Sequence, residues 1–126
     1  MPETYYSFRN LLEKHFGMRI SAARLEFWDR GISLDGYAYS EAEVYLGKVK
    51  FALNEEGTEK FLQILQEFRE LCPLHKARKI YGVLAAREIS DGVRDWAWSK
   101  GLYLAQIHED DNFELQIPEG FHPRAF

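Results

Sequence analysis

Alternating apolar and polar positions between Leu34 and Leu53 predict a β-hairpin near the middle of the chain. The first run, Leu34 to Ser40, is rich in tyrosine, and the second, Val44 to Leu53, repeats valine, leucine and phenylalanine. These residue types suit the pleated, half-buried surface of a strand. The polar residues between the runs predict the turn, but they lack the Asn-Gly pair that would indicate its type.

A loop of two residues at 41–42 would set the register of this hairpin. It places Asp35 opposite Lys48, where the two Cβ atoms are about 4.5–5.5 Å apart. Lys50 follows Lys48 by two residues and therefore shares its face of the strand. The register predicts that Asp35, Lys48 and Lys50 gather on one face of two adjacent antiparallel strands.

Apolar residues recur at helical or strand spacing along the rest of the chain. The predicted helices are Tyr5–Phe16, a second helix capped by Asn54 and ending at or just before Cys72, and Asp91–Lys100. The other predicted strands are Met18–Trp28, Ile80–Ala86, Leu102–Ile107 and Phe113–Ile117, with a turn at Asp29-Arg30-Gly31. The strand, helix and strand after residue 79 predict a βαβ unit with parallel strands. This periodicity favours a mixed α/β sandwich.

Several side chains outside the hairpin are predicted to face the core. They are Ile20, Leu25 and Phe27 in the first strand, Val93, Trp96 and Ala97 in the third helix, the alternating Phe113, Leu115 and Ile117 in the last strand, and Phe121 and Phe126, which would dock the tail.

Composition limits the class of protein. A chain of 126 residues with 46% hydrophobic residues suits a single domain with one core, over residues 1–126. No apolar run reaches the roughly 18 residues of a membrane span, so we expect no membrane partner. Cys72 is the only cysteine, which excludes an internal disulfide and fits a cytoplasmic location. The net charge of -4 argues against a general DNA-binding role but leaves room for a local basic groove.

A basic run from His75 to Lys79 has two interpretations. We expect a solvated loop, and phosphate contacts are the alternative. Cys72, just before this run, is expected to be a buried or half-buried thiol at a helix end, without a catalytic role.

Three stretches carry a resemblance to a known family. They are D-G-Y-A-Y-S from Asp35, G-K-V-K-F from Gly47 and I-P-E-G-F-H-P-R-A-F from Ile117. In this order they resemble a family of small, uncharacterised prokaryotic proteins related to the PD-(D/E)xK nucleases, over Met18 to Phe126. The resemblance implies a restriction-endonuclease-like core, a mixed β-sheet flanked by helices in the order α-β-β-β-α-β-α-β-β. It also implies DNA as a partner. It further implies a homodimer, and the high aromatic content independently favours a homodimer.

The resemblance also implies a catalytic site on the hairpin. Asp35 would be the first ligand of Mg²⁺, the position of Lys48 the second and the carbonyl of Val49 the third, while Lys50 would be the catalytic lysine. Mg²⁺ requires hard oxygen ligands, and it lowers the pKa of an attacking water. A neighbouring lysine stabilises the charge that develops on the phosphate.

One residue departs from the family pattern. The pattern has Glu-Val-Lys, and this chain has Lys48-Val49-Lys50, so a cation replaces a metal-binding carboxylate. Unit charges about 4 Å apart interact by about 4 kcal/mol at an effective dielectric of 20, a term that repels a metal ion and attracts Lys48 to Asp35. Acidic side chains from elsewhere could replace the lost ligand: Glu41 and Glu43 on the turn, which are several residues away, or Glu3, Glu13 and Glu59 on the helices.

Three hypotheses about function follow. The first is a nuclease-fold domain with a degenerate metal site, inactive and acting in nucleic-acid binding or assembly. The second is an active Mg²⁺-dependent DNA endonuclease, a phosphodiesterase with a relocated carboxylate. The third is a small α/β interaction protein. The sequence favours the first because of Lys48.

Overall fold

The described residues form three α-helices and eight β-strands. The structure, a computed structural model, describes residues 3–18, 20–22, 25–27 and 30–126. Its helices are α1 (Glu3–Phe16), α2 (Glu55–Leu71) and α3 (Asp91–Ser99). Its strands are β1 (Ile20–Ala22), β2 (Leu25–Phe27), β3 (Ile32–Leu34), β4 (Gly36–Tyr39), β5 (Glu43–Ala52), β6 (Lys79–Glu88), β7 (Tyr103–Ile107) and β8 (Phe113–Gln116). The predicted positions Trp28 and Asp29, and the side chains of Glu3 and Ile20, lie outside the described residues.

A six-stranded mixed sheet forms the centre, in the order β1-β4-β5-β6-β7-β8, and β2 and β3 pair separately. The pairs β5–β6 and β6–β7 are parallel and the others are antiparallel. The parallel pair on either side of α3 confirms the predicted βαβ unit. The α/β class is therefore confirmed.

Both faces of the central strands are buried. Alternate residues of β5, β6 and β7 contribute to two hydrophobic clusters, one with α1 and one with α2 and α3. Leu104 belongs to the second cluster, and its neighbour Ala105 belongs to the first. Such double burial explains why Lys79–Glu88 reads as a continuous apolar run instead of an alternating one.

The predicted hairpin forms with the expected register. Tyr39 lies opposite Val44, and the Ser40 N–H donates to the Glu43 carbonyl at 2.9 Å, which leaves residues 41–42 as the loop. The first run is not one strand, however. It breaks at Asp35, so that Ile32–Leu34 pairs with β2 while Gly36–Tyr39 belongs to the large sheet. This break corrects the prediction of a continuous strand from Leu34.

The segment Met18–Trp28 is a second correction. It contains two short strands in different sheets, β1 against β4 and β2 against β3, where one strand was predicted. The element order therefore has five strands between α1 and α2, not the three that the resemblance implies. Leu25 and Phe27 still pack against the core, as predicted.

Two predicted core positions are wrong. In α3, Ala97 is fully buried and Val93 packs on the core, but Trp98, not Trp96, is the tryptophan that joins them. The Lys100 ammonium lies over Trp96, 5.7 Å from the centre of the tryptophan ring. Ile117 continues the alternation of Phe113 and Leu115, which pack against the core. It is nevertheless 57% exposed, because β8 ends at Gln116.

The connections between elements follow the predicted local chemistry. The Asn54 side chain accepts the Gly57 N–H at 2.7 Å and caps α2, and the Ser90 side chain caps α3. Gly17 and Gly101 end α1 and α3 with positive φ angles of 62° and 80°. The tail docks as predicted, because Phe126 packs on the core and Phe121 contacts Tyr103. No helix in the described part of the chain is long and apolar enough to cross a membrane.

The absence of a side chain at Gly47 decides where α1 packs. The Phe8 ring covers Gly47, and a Cβ there would overlap the ring. We predict that Gly47→Ala lowers the free energy of unfolding by about 1–3 kcal/mol, the usual cost of overpacking a core. Gly92→Ala is the control, because a Cβ at Gly92 meets nothing within 4 Å. Urea denaturation of both variants measures the difference, and equal stability of the two would contradict the packing argument.

Candidate functional site

Asp35 lies at the point where the chain leaves the small sheet and enters the large one. It is 8% exposed, although carboxylates are rarely buried without partners. Its Oδ2 accepts the Val49 N–H at 2.8 Å, and its own N–H donates to the Gly47 carbonyl at 2.9 Å. Asp35 comes just before the first residue of β4. Its carboxylate therefore replaces a backbone acceptor for β5 where β4 does not reach.

Lys48 contacts Asp35, as the register predicted. Its Nζ lies 3.7 Å from Asp35 Oδ2 and donates to the carbonyl and the hydroxyl of Ser33, at 3.0 and 3.2 Å. The ammonium thus has two oxygen acceptors and one carboxylate around it. It bridges β3 and β5 at the position where the family pattern places a metal ligand.

The backbone of Val49 faces the same side as Asp35. Gly47 points its carbonyl toward Asp35, and Val49, two residues further along the strand, points its N–H to the same carboxylate. Because the N–H and C=O groups of a strand residue point to the same side of the strand, the Val49 carbonyl also points to the side of β5 where Asp35 lies. Three of the four groups of the family pattern, Asp35, Val49 and Lys50, are therefore present on the hairpin.

Lys50 opens onto a groove that continues past the hairpin. Its Cε lies against the first turn of α2, 3.8 Å from the point that a Cβ on Gly57 would occupy. Two adjoining cavities of about 140 and 230 Å³ lie here, and both are lined by Lys50, Gly57 and Lys60. The smaller cavity is also lined by Lys48, Ser33 and Ile64, among others. Lys48, Lys50 and Lys60 together define what we call the lysine groove.

Sequence reasoning missed Lys60. It sits on α2, ten positions beyond Lys50, and only the packing of α2 against β5 brings it to the groove. Its ammonium lies 3.4 Å from Glu56 on the exposed surface of the helix. No described carboxylate lies within 4 Å of Lys50. No local pattern in the sequence could have paired these residues, because the contact depends on the tertiary fold.

The residues of the site do not fit a Mg²⁺ ion. Within the described ranges, no three His, Cys, Asp or Glu side chains gather closely enough to hold a metal. Among the proposed replacement ligands, Glu13 pairs with Arg9, Glu59 is exposed on α2, and Glu41 and Glu43 lie at the turn, the far end of the hairpin from Asp35. One carboxylate beside a lysine ammonium is too few hard ligands and carries an unfavourable charge.

A second polar cluster surrounds His75, and it corrects the prediction of a solvated loop in part, since His75 is buried while Lys76 and Lys79 are exposed. His75 is completely buried, and its Nδ1 accepts from the Arg78 guanidinium at 3.0 Å, so that Nε2 carries the proton and donates to the Tyr37 hydroxyl. Arg78 also donates to the Ser40 carbonyl at 2.6 Å. The cluster joins β4 to the connection between α2 and β6, and Cys72 beside it is half-buried, as predicted. We assign it a structural role.

Arg69 strengthens the same connection. Its guanidinium donates to the carbonyls of Lys76 and Arg78, at 2.7 and 2.6 Å, and to the carbonyl of Phe126 at 2.6 Å. These bonds leave the arginines of this region engaged with backbone oxygens. Only the exposed Lys76 and Lys79 of the basic run have free ammonium groups among the described contacts. The lysine groove gathers three ammonium groups in one recess and is the stronger candidate for anion binding.

Comparisons of this chain with protein-family models, with curated proteins and with solved structures find no match. The class that the observations define is a mixed α/β domain with a carboxylate–lysine pair at a sheet junction. The nuclease resemblance accordingly stays a prediction.

Lys48→Glu tests whether the hairpin is one substitution away from a metal site. The substitution places a second carboxylate beside Asp35 and the Val49 carbonyl. We expect calorimetric titration with Mn²⁺ to show binding by Lys48→Glu and none by the unaltered chain. Lys48→Gln is the control, since it removes the cation without supplying a carboxylate. Equal Mn²⁺ affinity of the Glu and Gln variants would show that the position is not a ligand position.

The His75 cluster predicts a pH dependence of stability. Burial, and then the neighbouring Arg78 charge, lower the pKa of His75 from its usual value of 6.5. The unfolded chain therefore takes up a proton at higher pH than the folded chain, so the contribution of His75 is full above pH 6.5 and is lost as pH falls through the lowered pKa. We expect the melting temperature to fall more steeply below pH 6.5 than in His75→Gln. Parallel curves for the two proteins would contradict this assignment.

Proposed function

We propose that this chain is a nuclease-fold domain, with a restriction-endonuclease-like core, that binds the phosphate backbone of a nucleic acid without cleaving it. The observation that carries the proposal is the Lys48 ammonium, 3.7 Å from Asp35 and 3.0 Å from the Ser33 carbonyl. It stands where a nuclease of this class would have an acidic ligand. The proposal rests on the sequence resemblance together with this geometry.

The charges of the lysine groove support phosphate binding. Lys48, Lys50 and Lys60 bring positive charge to one recess, whereas the whole chain has a net charge of -4. Asp35 offsets Lys48 and Glu56 offsets Lys60, but Lys50 has no such partner among the described residues. A phosphate in the groove would supply the missing anion to Lys50. Binding would be weak and salt-dependent, because few phosphate contacts are made.

The proposal extends to assembly. We propose a homodimer, as the resemblance implies, held less strongly than the fold itself. The exposed apolar side chains Phe51, Leu74 and Ile117, which are 68, 66 and 57% exposed, are the described positions where a partner could cover large hydrophobic residues. The single cysteine fits a cytoplasmic location.

The binding proposal is tested with fluorescently labelled DNA, single-stranded and duplex, by anisotropy at several salt concentrations. We expect Lys50→Gln to weaken binding and to reduce the slope of log Kd against log salt by about 1, and Lys60→Gln to act similarly. Lys76→Gln is the matched control, because Lys76 is exposed at the opposite end of α2. Equal effects of all three substitutions would mean that general charge, not the groove, attracts DNA.

The same preparations test cleavage. We expect no Mg²⁺-dependent digestion of either DNA. Digestion that is lost in Asp35→Ala would support the second hypothesis, an active nuclease with a carboxylate from elsewhere. The absence of both binding and cleavage would support the third hypothesis, an α/β interaction protein.

A further inference from the structure

β8 forms one of the two ends of the six-stranded sheet, and its outer edge is open. β8 pairs with β7 on one side, and it is the last strand in the sheet order. The His108 N–H donates to the Asn112 carbonyl at 2.9 Å, and Gln106 lies opposite Glu114. Because inward and outward backbone groups alternate along an antiparallel strand, the N–H and C=O groups at positions 113, 115 and 117 point away from β7. These groups have no strand partner among the described residues.

β8 has only four residues and carries the charge of Glu114, both of which limit edge pairing, but it has no lysine and no bulge. Natural proteins place lysine, proline or a bulge on open edges to prevent pairing. Residues 113–117 read Phe-Glu-Leu-Gln-Ile, with neither lysine nor proline, and Ile117 is 57% exposed. An open edge with an exposed aliphatic side chain is a template for another strand.

The groove beside the edge contains unsatisfied donors. It has a volume of about 360 Å³ and is lined by Arg94 and Trp98 of α3 and by residues 114–118. Arg94 Nε and Trp98 Nε1 are buried without a hydrogen-bond partner, and so is Gln116 Oε1. The Arg94 side chain is 23% exposed and brings a positive charge to this groove.

We propose that β8 pairs antiparallel with β8 of a second copy of this chain, about a two-fold axis at Leu115. This inference rests on the homodimer proposed above and assigns its surface. At this register the outward backbone groups of both strands meet, with Leu115 opposite Leu115 of the partner subunit. Ile117 then lies opposite Phe113 of the partner subunit, and an apolar pair of this kind stabilises a strand pair.

Charge complementarity at the same register supports a second copy as the occupant. Gln116 lies opposite Glu114 of the partner subunit, on the face of the sheet that α3 covers. The partner's Glu114, which contacts His108 within its own chain, lies on the side of the sheet where Arg94 lines the groove, and the amide group of Gln116 can donate to it. The two-fold axis repeats the arrangement, and no like charges are placed opposite each other.

The mass of the protein in solution, measured by sedimentation equilibrium over a range of concentrations, tests the proposal. We expect a dimer of twice 14.8 kDa. Ile117→Lys should shift it to the monomer, because the substitution adds a charge at the edge. Leu74→Lys is the matched control, since Leu74 is a similarly exposed aliphatic residue at 66% and lies away from β8. It should leave the dimer unchanged.

A second variant separates backbone pairing from side-chain packing. Leu115→Pro removes an N–H that the sheet does not use, and Leu115→Ala shortens the same side chain but keeps that N–H. We expect the proline variant to be monomeric and the alanine variant to remain a dimer, with circular dichroism showing that both are folded. A dimer that survives Ile117→Lys and Leu115→Pro would overturn this interface but leave the homodimer standing. A monomer of 14.8 kDa at every concentration would overturn both.

Discussion

The buried carboxylate of Asp35 is the interaction on which the hairpin region depends. It accepts the Val49 N–H at 2.8 Å at the point where the chain passes from the small sheet to the large one. Without it, a backbone donor of β5 would lose its partner just beyond the end of β4. Lys48 then neutralises the carboxylate and ties it to β3 through Ser33. An ion pair that is buried on one side and bonded to backbone groups is costly to break, because removal of one member leaves the other uncompensated.

Under the function proposed above, one substitution would change the chemistry of a site while its architecture persists. The Asp35 carboxylate, the backbone of Val49 and the Lys50 side chain hold the positions that the sequence resemblance assigns to a metal site. Lys48 satisfies the negative charge of Asp35 from within the protein, so no external cation is required there. The lysine groove then continues the positive charge toward α2, where the proposed phosphate ligand would complement it.

Local chemistry in the sequence was sufficient for much of this fold. Capping by Asn54 and Ser90, the stops at Gly17 and Gly101, and the hairpin loop at 41–42 follow from short-range backbone rules. The break at Asp35 was not predictable, because the residues on both sides favour strands and only competition between two sheets separates them. Lys60 was missed for a similar reason. Its place beside Lys50 depends on how α2 packs, which no short pattern in the sequence records.

The contact between Phe8 and Gly47 has a consequence for how related sequences should vary. The ring and the missing side chain are two halves of one fit, since a Cβ at Gly47 would occupy the place of the ring. Gly36 lies under the same ring and under Leu12. A larger residue at position 47 therefore costs stability unless position 8 becomes smaller. Homologous chains should therefore show these two positions changing together, although they are 39 residues apart in the sequence.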